Sequence, residues 1–222
     1  MNRYEDPLAS VDVALFTIQD GRLSLLLATR KNQDEPYFGA PALPGGVIHT
    51  DEDEDAQDAA RRVVRTKLGF DPPYLEQLYT FSGRLRDPRR WSLSVAYYSL
   101  VPEQVLEQTS IEGLEFVPAD SIPALPFDHN AIAEMAIRRL RSKSTYSSLL
   151  TFLLPAQFTI PELHAVYEQV TGSATNIAAF RKKVLDEDMI EATGERRKGG
   201  QHRAPDLYRR KEAGLQELKR TI

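Results

Sequence analysis

Two runs near the start of the chain, "SVDVALFTIQ" (10–19) and "RLSLLLATR" (22–30), are rich in Val, Leu, Ile and Phe and predict strands. Asp20-Gly21 between them is a hairpin signal, because both central positions of the favoured two-residue turn take positive φ. Further strands read at 76–83, at "WSLSVAYYSLV" (91–101) and at "LEFVPAD" (114–120); in the second, Trp91, Leu93, Val95 and Tyr97 alternate with smaller or polar residues. Helical spacing appears twice. Ala56, Ala60, Val63, Val64 and Leu68 form a stripe over 53–68, behind acids that suit the positive end of the helix dipole. Ile132, Met135, Ala136 and Leu140 form another over 129–143. The region to about residue 143 therefore predicts a mixed sheet with helices.

After "SKSTYSS" the pattern changes. "YSSLLTFLLP" (146–155) reads as a short apolar helix closed by Pro155. "FTIPELHAVYEQVTG" (158–172) reads as a second, with Thr159 as N-cap, Pro161 and Glu162 in the first turn, Leu163, Val166, Tyr167 and Val170 inward, and Gly172 as the break. "NIAAFRKKVLDEDMI" (176–190) predicts a third, burying Ile177, Phe180, Val184 and Leu185 and exposing Arg181, Lys182 and Lys183. Residues 191–211 then read as two β runs joined by a basic, glycine-rich loop. Three short helices followed by a β-hairpin is the winged helix-turn-helix layout. The expected fold class is α/β (α+β), with a sandwich domain at 1–143 and a small winged helix domain at 144–222.

Composition narrows the partners. An apolar fraction of 41% and a charged fraction of 27% are those of an ordinary soluble chain. No apolar run approaches the roughly 18 residues of a membrane helix, and the start carries no export signal, so a cytoplasmic protein with no membrane partner is expected. The absence of Cys excludes disulfides, thiolate metal sites and cysteine nucleophiles. Net charge is −4, but residues 141–222 carry 14 Lys and Arg against 10 Asp and Glu. That asymmetry suggests a second module that meets a polyanion; a solvated basic tail is the other reading. For double-stranded DNA, Thr175, Asn176, Arg181 and Lys182 would enter a major groove, and Arg196, Arg197, Lys198 and Arg203 would meet phosphates or a narrow minor groove. A wing that binds protein is the alternative.

The motifs "LPGG" (43–46), "ARRVVRTKLGF" (60–70), "RDPRRWSLSV" (86–95), "PFDH" (126–129) and "FTIPELHAVYE…FRKKV…APDLY" occur in this order. Together they resemble the Nudix-related transcriptional regulators, the NrtR family, across nearly the whole chain. The resemblance implies a Nudix-like α/β/α sandwich fused to a winged helix, and a homodimeric repressor on a palindromic operator. It implies an effector that is ADP-ribose or, as in some relatives of this architecture, a sugar-related metabolite.

An active Nudix box resembles G-x5-E-x7-R-E-U-x-E-E-x-G-U, with U apolar. Gly46, Arg62, Gly69 and Phe70 match, but Val63, Thr66 and Lys67 stand where three glutamates would gather on one helical face. Those glutamates would hold Mg²⁺, which takes hard oxygen ligands in octahedral geometry. No catalytic residue, metal or cofactor is therefore expected. Lys67 places an ammonium where the metal would sit, or is a solvated surface lysine. Arg30, Arg62, Arg86 and Arg90 are the other anion-binding candidates around Gly45 and Gly46, with Arg62 alternatively held in an internal ion pair. Tyr37 and Phe38 are candidates for stacking on a base. His129 reads as a ligand contact or as a cap of the following helix. The competing function is a Nudix hydrolase acting on ADP-ribose-like nucleotides, with metal held by Glu52, Glu54 and Asp58.

Overall fold

The fold is that of a computed structural model, which describes residues 6–106, 112–197 and 204–219. In chain order the elements are β1 (Leu8–Gln19), β2 (Arg22–Thr29), β3 (Pro41–Ala42), β4 (Gly45–Val47), α1 (Ala56–Leu68), β5 (Tyr74–Gly83) and β6 (Ser92–Leu100). There follow α2 (Glu103–Leu106), β7 (Leu114–Pro118), α3 (His129–Ser144), a 3-10 turn (Leu149–Leu153), α4 (Ile160–Thr171), α5 (Ile177–Asp186), β8 (Ile190–Arg196) and β9 (Asp206–Arg210). Among the described residues seven strands form one sheet in the order β3-β2-β1-β6-β5, with β4 added to β1 and β7 to β2. The β1–β2 turn is as expected, with φ of 49° at Asp20 and 73° at Gly21.

β1 lies at the centre, antiparallel to β2 and parallel to β6. Its side chains alternate between the two sheet faces. Val11, Val13 and Leu15 join Ala59, Ala60, Val63, Val64 and Leu68 of α1 in one apolar cluster. Ala14 and Phe16 join Ile132, Ala136 and Leu140 of α3 in the other. Asp12 shares their parity and is buried on the α3 side. β6 is covered on both faces, which is why small residues such as Ser92, Ser94 and Ala96 line one of them. Trp91, counted with that strand's alternating set, lies just outside it and is 45% exposed.

α1 begins three residues later than the stripe over 53–68 implies. Its N-cap is Asp55, whose carboxylate accepts from Asp58 N at 2.8 Å, and Gly69 closes it with φ of 80°. α4 is bounded as expected: Thr159 and Glu162 form a capping box, and Gly172 takes φ of 70°. The apolar helix predicted at 146–155 is instead the short 3-10 turn, followed by Leu154 in extended backbone ahead of Pro155. On α5, Phe180 and Val184 are buried, but Ile177 and Leu185, expected inward, are 46% and 39% exposed. Ten residues of helix bury one narrow stripe, and these two lie at its flanks.

The apolar cluster on the α3 side does not stop at residue 143. It continues through Leu149, Phe152, Phe158, Leu163, Val166, Phe180, Val184 and Tyr208. α3 packs on α4, and α4 also touches β2. Phe158 pairs with Tyr208 as a short third strand of the wing, with backbone bonds of 2.9 and 2.7 Å. The apolar core therefore has members on both sides of residue 143.

Phe158→Ala is predicted to cost about 3–5 kcal/mol, since it empties a fully buried ring site. Fluorescence of the lone tryptophan, Trp91, and far-UV ellipticity should then fall together in one thermal transition at lower temperature. Two separated transitions would contradict a shared core.

Candidate functional site

The sheet face that carries Asp12 meets the start of α3, and an open cleft of about 120 Å³ lies over the junction. Its floor is a charge network. Arg86 donates from Nη2 to Asp12 Oδ2 at 2.5 Å and from Nε to Asp128 Oδ2 at 3.0 Å. Leu43 N donates to His129 Nδ1 at 3.0 Å, which leaves the ring proton on Nε2, 3.4 Å from Asp12 Oδ1. Burial pushes the Asp12 carboxyl up, but His129 and Arg86 prevail and hold it down at about 2.

The glycine turn has a steric reason. A Cβ on Gly45 would fall 2.2 Å from Asp12 Oδ1 and 2.9 Å from Val11 O. Only glycine lets β4 lie across the carboxylate. A Cβ on Gly46 would press on Val63 Cγ2 at 3.3 Å. Gly45 and Gly46 both line the cleft.

Two loops form the walls. On one, Arg30 donates from Nη2 to Glu35 Oε2 at 2.7 Å and from Nε to Pro36 O at 2.8 Å. Its guanidinium lies 5.0 Å from the Phe127 ring centroid, and Tyr37 meets that ring edge-on at 4.8 Å. Tyr37 and Phe127 both take positive φ, 59° and 58°, a conformation that bulky residues rarely adopt. On the other wall Asp87 binds Arg89 with 3.0 and 2.8 Å bonds. Burial raises the Asp87 carboxyl, and the bonds from Arg89 outweigh that and lower it.

The expected ligand residues are placed as follows. Arg30, Gly45, Gly46, Arg86 and His129 share the central cleft. Lys67 lines an adjoining cleft with Arg30 and Gly45, and Tyr37 and Arg90 line a second with Arg89 and Trp91. Phe38 lines none of the three and is 54% exposed. His129 does not cap α3: Asp128 holds the N-cap position, and its carboxylate serves Arg86 instead. Arg62 takes the internal ion pair that was its other reading: its guanidinium forks onto Asp53 at 2.6 and 2.8 Å and reaches Val47 O at 3.0 Å, and it does not line the central cleft. The sequence reading missed Asp12, Glu35, Asp87, Arg89 and Phe127. Three of these, Asp87, Arg89 and Phe127, lie inside quoted motifs, the first two beside Arg86 and Arg90 and the third two residues before His129.

On α1, Val63 is 4% exposed within the helix-sheet core, and Thr66 and Lys67 are exposed. Glu52 faces His49 Nδ1 at 3.0 Å, and Asp58 Oδ2 accepts from Glu54 N at 3.3 Å. Among the described residues no three His, Asp or Glu, with Glu52, Glu54 and Asp58 among those considered, gather in one cluster of the kind that holds a metal ion.

In the second module Lys182 stands exposed on α5. Asn176 uses its side-chain oxygen as the N-cap of α5, toward Ala178 N and Ala179 N at 2.9 and 3.1 Å. The Thr175 hydroxyl lies 2.9 Å from His164 Nε2, and Arg181 reaches the Tyr208 hydroxyl at 3.3 Å. At the hairpin, Arg196 pairs with Asp206 at 3.0 Å and Arg197 with Glu162 at 2.9 Å. Lys198 and Arg203 lie outside the described residues.

A mixed sheet between helices, with a glycine turn crossing it and a winged helix behind it, defines a Nudix domain joined to a DNA-binding module. The NUDIX domain family matches residues 7–140, and the family described as NrtR DNA-binding winged helix domain matches residues 150–210. A protein of Acinetobacter baylyi named "ADPR responsive transcriptional repressor NtrR" is 34% identical over 93% of this chain and 83% of its own length. The crystal structure of Shewanella oneidensis NrtR complexed with a 27mer DNA superposes with a TM-score of 0.88 at 34% identity, over 96% of this chain and 99% of that one. The NUDIX domain of the same protein complexed with ADP ribose matches with a TM-score of 0.54 at 34% identity, over 62% of this chain and 90% of that one. The chain belongs to the NrtR family of Nudix-related regulators.

Asp12→Asn is predicted to destabilise the fold by about 3–5 kcal/mol, because it takes from buried Arg86 the more buried of its two anions and leaves only Asp128. A carboxyl depressed on folding stabilises above its unfolded value, near 4, and that contribution disappears as pH falls through about 2. The variant's denaturation midpoint should therefore depend less on pH between about 4 and 2. An unchanged midpoint and pH slope would remove the network from the account.

Proposed function

We propose that this chain is a DNA-binding transcriptional repressor whose Nudix domain holds ADP-ribose without cleaving it. The observation that carries the reading is the union, in one continuous core, of a guanidinium-walled cleft and a winged helix. The relatives named above respond to ADP-ribose, or bind it and DNA. Arginine forks and a backbone turn suit a diphosphate, and the exposed aromatic Tyr37 suits a base. α5 presents Lys182 outward for a major groove, with Arg181 beside it and Arg196 and Arg197 at the hairpin for phosphates. Two copies in a homodimer would meet half-sites about 34–36 Å apart. The domain division at 143/144, action in the cytoplasm and the absence of a resident metal belong to this same proposal.

The reading of a binder rather than an enzyme is supported by α1. The face that would coordinate Mg²⁺ carries a buried Val63 and the cationic Lys67. A carboxylate at 63 would have to lie in the apolar layer under Gly46, and Lys67 repels a cation. Lys67 reaches the adjoining cleft beside Arg30, where its charge supplies what a metal supplies elsewhere: attraction for phosphate oxygens.

Affinity for a palindromic operator should fall about 10³-fold or more between ~50 and ~200 mM salt, and Lys182→Ala should cost about 1–3 kcal/mol. A flat salt response would favour a protein-binding wing. ADP-ribose should release the duplex with EDTA present, and Lys67→Glu should weaken that response about tenfold or more. Turnover of ADP-ribose above background with Mg²⁺ or Mn²⁺ would overturn the non-catalytic part.

A further inference from the structure

The cleft's three guanidiniums each face a carboxylate of this chain. Arg86 has Asp12 and Asp128, Arg89 has Asp87, and Arg30 has Glu35. An anionic ligand entering this cleft meets cations that are already neutralised, so its affinity depends on which internal carboxylate yields. The four carboxylates differ. Asp12 and Asp87 are buried, and Asp87 also accepts from Arg89 N at 2.9 Å. Asp128 sits at the head of α3, its side chain 25% exposed. The Glu35 side chain is 40% exposed and rides on the loop between Arg30 and Ala40.

That loop is folded back over the guanidinium it covers. Arg30 N donates to Ala40 O and Gly39 N to Arg30 O, so the loop is closed at its base. Between these ties the chain passes through Tyr37 at φ of 59°, with its ring against Phe127. Arg30 itself is only 16% exposed at the side chain, sandwiched between this loop and the Phe127 ring. Glu35 thus occupies the solvent-facing position from which a phosphate would address Arg30 by a planar fork. Its charge also acts on Arg89 across the cleft, behind the larger influence of Asp87.

We infer that Glu35 is a built-in competitor for the effector: its carboxylate holds Arg30 in the empty cleft, and a diphosphate must displace it to bind. This rests on the reading that the cleft takes a phosphorylated metabolite, and it assigns Glu35 the setting of effector affinity. Displacement removes the Glu35 bond to Arg30, while the Arg30 bond to Pro36 O and the backbone ties at Gly39 and Ala40 hold the loop at its base. The effector concentration at which DNA is released is then a tuned quantity, with threshold raised by one side chain.

The test is calorimetric titration of the full chain and its Glu35→Gln and Glu35→Ala variants with ADP-ribose, inorganic pyrophosphate and adenosine. Both substitutions lie on an exposed loop, and unchanged melting temperatures establish that the variants are folded. Competition predicts about three- to tenfold tighter ADP-ribose and pyrophosphate in both variants, and no change for uncharged adenosine. DNA release by ADP-ribose should shift to lower concentration by the same factor. Equal or weaker anion binding in the variants would overturn the inference and leave the effector reading intact. Equal tightening for adenosine would overturn it too, by showing that a loosened loop admits any ligand. If neither ADP-ribose nor pyrophosphate binds the wild type or either variant, the effector reading itself fails and the inference falls with it.

Discussion

One helix holds the two halves of this protein in register. α3 starts at the cleft, where Asp128 and His129 are tied to Arg86, Asp12 and Leu43. It ends beside the winged helix, where Lys143 donates to Glu76 of β5 at 2.6 Å and Arg141 donates to Val170 O of α4 at 3.2 Å. Between these ends Ile132, Ala136 and Leu140 are fully buried against the sheet. A charged network at one end and a salt bridge at the other leave the helix little freedom to shift alone. A reorganisation of its first turn would reach α4 only through this packed helix, which touches α4 at its far end. Coupling of this kind requires that the ligand favour one arrangement over another, and the cleft offers groups able to do so.

The same economy explains the chemistry. A metal-dependent hydrolase needs oxygen ligands gathered on one helix face, close to the diphosphate. Here the α1 face that adjoins the glycine turn is apolar at Val63, which supports Gly46 from below. The acids of the loop ahead of α1 are engaged locally: Asp53 holds Arg62, and Asp55 caps the helix. Arg62 is in turn the clamp on that loop through Val47 O. The region thus has the glycine turn and the helix of the box, with an apolar core residue where the pattern places a carboxylate.

Local signals were readable wherever a short stretch decides the outcome. Asp20-Gly21, the capping box of Thr159 and Glu162, and the left-handed Gly69 and Gly172 are all set within a few residues. The amphipathic stripes of α1, α3 and α4 were readable for the same reason. What depends on partners far along the chain was not. The parallel pairing of β1 with β6, which places Ser94 beside Asp12 in register with Ser10, joins residues more than 80 apart. Asp12 reads as one polar interruption in a strand until β4, Arg86 and His129 close over it. Arg62 and Arg30 look alike in sequence, and only the fold shows Arg62 consumed by Asp53 and Arg30 at the cleft. The exposure of Ile177 and Leu185 depends on how widely α4 and the hairpin cover α5, which periodicity does not encode.

The most direct test of the central claim is hydrogen exchange of the full chain with and without ADP-ribose. If the cleft speaks to the winged helix through α3, the ligand slows exchange at residues 31–40 and in the first turn of α3, and also changes it in α4 and in the β8–β9 hairpin. Protection confined to the cleft loops, with α4 and the hairpin unchanged at saturating ligand, would contradict the account.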